Sequence, residues 1–149
     1  MRPISNYRFG VTLLIATALF LTAACDQNKL KEAAKAADRI EIVSTSAIDT
    51  IIAFQAQNVI TRDQEKAIAS ILLDVNTADA ELIRSVRAAT TWDEPTRQAV
   101  VRILGDITAA VARLNDAGLL HIHNADAQAK FTAIVAALQS ALAIIRGAL

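Results

Sequence analysis

The sequence predicts an all-α fold, an antiparallel four-helix bundle, on three observations. Apolar types make up 54% of the 149 residues and aromatics only 4%, so the excess over the roughly 45–50% of an average chain lies in Ala, Leu, Ile and Val. Four Gly and two Pro supply too little turn chemistry for a many-stranded sandwich or barrel. Apolar residues then recur in steps of three and four along four segments with short breaks between them, the spacing that stacks side chains on one stripe of a helix. The length suits one domain. The 15 Lys and Arg cancel the 15 Asp and Glu, which argues against a basic nucleic-acid binder or an acidic tail protein.

The N-terminal segment comes first in the chain. Arg2 and Arg8 precede a run of 16 uncharged, mostly apolar residues, 9–24, that stops at the single cysteine, Cys25. At about 1.5 Å per residue such a helix covers roughly 24 Å, short of the ~30 Å hydrocarbon core of a bilayer. A cleaved signal peptide over residues 1–24 is therefore expected, with an uncleaved signal anchor as the other reading. The motif Leu21-Thr22-Ala23-Ala24-Cys25 resembles the lipobox of bacterial lipoproteins, although Thr22 stands where that family most often has Leu. The resemblance covers this segment alone. It implies that the Cys25 thiol receives a diacylglyceryl group and that cleavage makes Cys25 the mature N-terminus. It also implies that Asp26, in enteric bacteria, retains the product at the inner membrane. Two or three acyl chains make a stable anchor where one is marginal. Removing Arg2 and Arg8 leaves residues 25–149 with 13 basic and 15 acidic residues, a net charge of −2. Lys29, Lys31 and Lys35 lie close enough to the anchor to meet anionic head groups, or they simply form a solvated helix face.

Leu30, Ala33, Ala37, Ile40, Ser44, Ala47, Ile51 and Phe54 place the first helix over residues 28–57. Asn58, Val59 and Ile60 interrupt it. The string Thr61-Arg62-Asp63-Gln64 has the form of a capping box and starts the second helix, whose stripe is Ile68, Leu72, Val75, Leu82 and Val86 and which ends near Thr90. Asp93, Glu94 and Pro95 open the third helix, since a proline in the first turn lacks only an N–H that would be unpaired anyway. Val100, Leu104, Ile107, Val111 and Leu114 form its stripe, and Gly118 is expected to stop it. Asn124 caps the last helix, striped by Phe131, Val135, Leu138, Leu142 and Ile145 with Gly147 beyond it. Loops this short make neighbouring helices run antiparallel.

Residues 25–149 contain no second cysteine and no HExxH, GxSxG, Walker or GxGxxG motif, so no enzyme is expected. Most acids have a base at helical spacing, such as Asp63 with Lys66, Glu81 with Arg84, Asp93 with Arg97 and Asp126 with Lys130, pairs that mark solvated faces. Asp79 is different. It falls between Val75 and Leu82 in the apolar stripe, where a buried lone carboxylate must find a partner or hold its proton. It is read as a site inside the bundle, or as a polar contact that fixes helix register, or as an edge residue that reaches water. Ser44, the polar break in the first stripe, is the candidate partner. His121 and His123, two apart in an expected extended loop, would point to one side and offer a metal two ligands, with Asp126 a possible third, where a zinc site needs three or four.

The last helix carries no charge over residues 131–145, too short a run to span a bilayer. Its back face is Ala133, Ala136, Ala137, Ser140, Ala143 and Ile144. An exposed face ordinarily carries Lys, Glu or Arg, so this one is expected to be covered, at the centre of the monomer or by a second copy or another envelope protein. The sequence thus leads to a lipid-anchored cell-envelope protein, its domain facing the periplasm or cell exterior, serving as a structural or interaction module. The rival is a carrier that holds a small apolar molecule or metal between its helices.

Overall fold

The computed structural model describes the backbone of residues 7–149 and the side chains of residues 27–149. Residues 1–6 and the side chains of the leader peptide, the lipobox, Cys25 and Asp26 lie outside what is described, so the expected signal peptide and lipid attachment site fall there. Four helices and no strand occur among those described: α1 (Tyr7–Ala56), α2 (Arg62–Ala88), α3 (Glu94–His121) and α4 (Ala125–Ala148). Each packs on two others in the cycle α1, α2, α3, α4, while the diagonal pairs stay apart. The result is a helical bundle around a single apolar core.

The caps explain most of the boundaries. Asn58 adopts φ 57°, the left-handed region. Its N–H reaches the Gln55 carbonyl at 3.0 Å and the Val59 N–H reaches Phe54 at 2.9 Å. These are the two bonds of a Schellman motif, in which asparagine stands where glycine is usual. The chain re-enters a helix at once, because Thr61 and Gln64 form the expected capping box. Asp93 accepts the Thr96 N–H at 3.0 Å and Asn124 the Ala127 N–H at 3.0 Å, so α3 and α4 begin where their sequences place them.

Gly118 does not stop α3. The helix continues to His121, and Gly118 is one of its buried positions. A Cβ there would overlap the ring of Phe131 on α4, so the glycine serves close approach between helices and not a left-handed cap. Gly147 likewise lies inside α4 and not beyond it.

The expected stripes are buried, except that Leu30 is half-buried. Three residues outside the helices join them. Ile60, Trp92 and Ile122, one from each connection, are buried in the core. The indole N–H of Trp92 donates to the Ala148 carbonyl at 2.8 Å, fastening the α2–α3 connection to the end of α4.

Ion pairs form mostly between helices. Asp38 meets Arg87 at 2.8 Å, Glu81 meets Arg102 at 2.9 Å and Asp74 meets Arg113 at 2.9 Å. None of the four pairs expected within helices is among them. Asp93 shows why: its carboxylate is taken up by capping, with hydrogen bonding to Thr96 holding it below the usual carboxylate range. Arg97 turns to Glu94 instead, at 2.7 Å. All these pairs are solvent-exposed and contribute about 0–1 kcal/mol each.

Candidate functional site

Two features rise above the ordinary packing of the bundle. The first is the outer face of α4. Ala133, Ala136, Ala137, Ser140, Ala143 and Ile144 are all exposed, which removes burial at the centre of the monomer as the reason for their lack of charge. The buried stripe of α4 accounts for Phe131, Val135, Leu138, Ala141, Leu142 and Ile145, and the back face points the other way. Open grooves flank it. One of about 250 Å³ lies against Arg39, Ile42 and Val43 of α1. Another, of about 450 Å³, runs along Val101, Gly105, Ala109 and Ala112 of α3 to Arg146 and Leu149. Because Gly105, Ala109 and Ala112 are small, the face of α3 beside Arg146 stays open toward solvent. Ile42 and Val101, 67% and 53% exposed, add large apolar area beside the grooves.

At 24 residues, α4 is longer than its uncharged stretch. It is the one helix among the described residues long and apolar enough to cross a membrane by length and composition. Eight of its residues are nonetheless buried in the bundle, as in the core helix of a globular domain.

The second feature is polar. Asp79 is only 1% exposed, and its Oδ1 has no hydrogen-bond partner among the described residues. Burial, followed by the nearby charges of Glu41 and Asp38, pushes its carboxyl from an ordinary 3.8 up to about 7. The expected partnership with Ser44 does not form. The Ser44 hydroxyl lies against the Ile40 carbonyl at 2.7 Å, one turn back in its own helix, and against Oδ1 of Asn76. Asn76 precedes Asp79 by three residues, nearly one helical turn, and so takes the contact. Beside this group opens a cleft of about 180 Å³ lined by Glu41, Thr45, Asn76, Asp79, Ala80 and Ile83. The sequence does contain a signal for the unforeseen members: Glu41 and Thr45 are four apart on α1, as Asn76 and Asp79 are three apart on α2, and each spacing puts its pair on one helix face.

The histidines do not share a loop. His121 is the last residue of α3, and His123 follows the cap at Ile122. Ile122 between them is extended, with φ −105° and ψ 102°, but His121 belongs to the last turn of the helix and not to an extended loop. No group of three His, Cys, Asp or Glu side chains is placed to hold a metal among the described residues.

No protein-family model matches the chain, and no curated protein or solved structure does either. The described residues define a four-helix, all-α protein with one charge-free outer face and one buried, unpartnered acid.

Proposed function

We propose that this chain is a lipid-anchored bacterial cell-envelope protein whose bundle works by packing on a protein partner, without turning over a substrate. The exposed, charge-free face of α4 carries this reading. An outer face of Ala, Ser and Ile between residues 133 and 144 adds little to solubility, and it suits close approach of a second helix. The leader sequence and its likeness to a lipobox support attachment through Cys25 at the cell membrane, with the domain on the periplasmic or outer side.

Within this reading the bundle is antiparallel. Asp38 with Arg87 and Ser44 with Asn76 link α1 to α2; Asp74 with Arg113 and Glu81 with Arg102 link α2 to α3. Thr108 with Arg146 and Gly118 with Phe131 link α3 to α4. In each case numbers rise along one helix as they fall along the next. The part of α1 just before Asp38, the α2–α3 connection and the end of α4 then share one end of the bundle, on the side of the anchor. His121 and His123 lie at the far end.

Mass spectrometry of the protein from the membrane fraction tests the anchor: a chain starting at Cys25 with acyl chains is expected, and an intact Met1 chain with a free thiol overturns it. Crosslinking in whole cells from a photoreactive residue at position 136 tests the partner. The expected product is an adduct with a second copy or another envelope protein, and none should form from exposed Thr77 on α2. Equal labelling from both positions overturns the assignment to α4. A second reading, carriage of a small apolar molecule, is favoured by the groove along α3 and Arg146. It predicts that a bound fatty molecule raises Tm.

A further inference from the structure

The cleft between α1 and α2 is where burial and uncompensated charge coincide. Asp79 is nine-tenths buried and more, its Oδ1 is shielded from solvent and has no hydrogen-bond partner, and the residue lines the 180 Å³ space that also touches Glu41, Thr45 and Asn76. A buried carboxylate oxygen without a donor is unfavourable, so native structures supply a partner, a water or an ion. No basic side chain lines the cleft. The neighbouring arginines are matched elsewhere: Arg87 with Asp38, Arg102 with Glu81 and Arg113 with Asp74, while Arg84 donates to the Ala80 carbonyl of its own helix.

The donor set is all oxygen. It comprises two carboxylates, the Thr45 hydroxyl and Oδ1 of Asn76, which meets Ser44 with one lone pair and keeps the other. Oxygen donors without His or Cys suit hard cations and disfavour zinc or copper. Two carboxylates balance a charge of two. At ~30 Å³ per water, the cleft has room for an ion with several of its waters.

We propose that the α1–α2 cleft binds a hard divalent cation of the calcium or magnesium class, with Glu41 and Asp79 as charged ligands and Thr45 and Asn76 as neutral ones. Few protein ligands make such a site weak, in the range of ~0.1–1 mM found for extracellular calcium modules. The ion would join α1 to α2 and supply the partner that Asp79 lacks. Glu41 and Asp38 of α1 are the acids whose charge reaches Asp79, and their repulsion is what a cation relieves.

The test is calcium binding to the full chain in detergent at pH 7.5, by calorimetry, beside thermal unfolding in CaCl2 and in NaCl of equal ionic strength. One ion per chain is expected, with Tm higher by about 3 °C or more at 10 mM CaCl2 than in the matched NaCl. Asp79→Asn keeps the shape of the side chain and should weaken binding at least tenfold and abolish the rise. Glu41→Gln, at an exposed position, should do the same without touching the core. Wild-type protein that takes up no stoichiometric calcium below 10 mM overturns the proposal. So does an Asp79→Asn protein that binds as the wild type does.

Discussion

The ring of Phe131 on α4 lies over the bare Cα of Gly118 on α3, so a glycine in mid-helix sets how closely two helices meet. Gly118→Ala gains helix propensity of about 1 kcal/mol but forces the ring away, and overpacking of this kind costs about 1–3 kcal/mol. A net loss of up to about 2 kcal/mol is expected in urea unfolding. Gly105→Ala is the control. A Cβ there meets nothing, so it should stabilise by about 0.5–1 kcal/mol.

Asp79 makes stability depend on pH. Below 3.8 its carboxyl is protonated in both folded and unfolded chains, and the fold bears no penalty from it. Between 3.8 and about 7 the unfolded chain gives up the proton and the folded chain keeps it, so stability falls as pH rises and levels off above that window. In cation-free buffer, Asp79→Asn should therefore match the wild type near pH 3.5 and exceed it by about 2–4 kcal/mol at pH 8. Urea denaturation across that range measures the gap, and a gap independent of pH would contradict the cause given.

Trp92 is the only tryptophan, and it is buried at 2% exposure with its N–H on the Ala148 carbonyl. Trp92→Phe should keep most of the packing and leave that carbonyl unpaired, at a cost of about 1–3 kcal/mol. Removing Ala148 and Leu149 should shift the tryptophan emission toward the red, because the same contact shields the indole.

Asn58 holds a left-handed φ at the end of α1. Asn58→Gly should be neutral or stabilising, because glycine reaches that conformation without strain. Asn58→Ala should destabilise by about 1 kcal/mol. Equal stability of the two variants would mean that the Schellman turn contributes nothing.

The sequence by itself determined the helices, their N-terminal caps and their buried stripes. Thr61, Asp93 and Asn124 cap through contacts three residues away, and periodicity selects the face that leaves water, so local chemistry suffices for both. It also put Asp79 in the apolar stripe between Val75 and Leu82, but an edge position reaching water stayed open until packing buried the carboxyl. Contacts between elements were beyond its reach. Gly118 reads as a helix stop until Phe131 is seen against it. Ile60, Trp92 and Ile122 lie outside any periodic stripe, yet they fill the core because short connections fold back over it. Asp38 chose Arg87 across a helix interface, a pairing that no spacing along one helix encodes. Whether the uncharged face of α4 looked inward or outward was likewise decided by tertiary packing: a helix with apolar residues all round can bury either side, and the neighbours α1 and α3 took the stripe of Phe131, Val135 and Leu138.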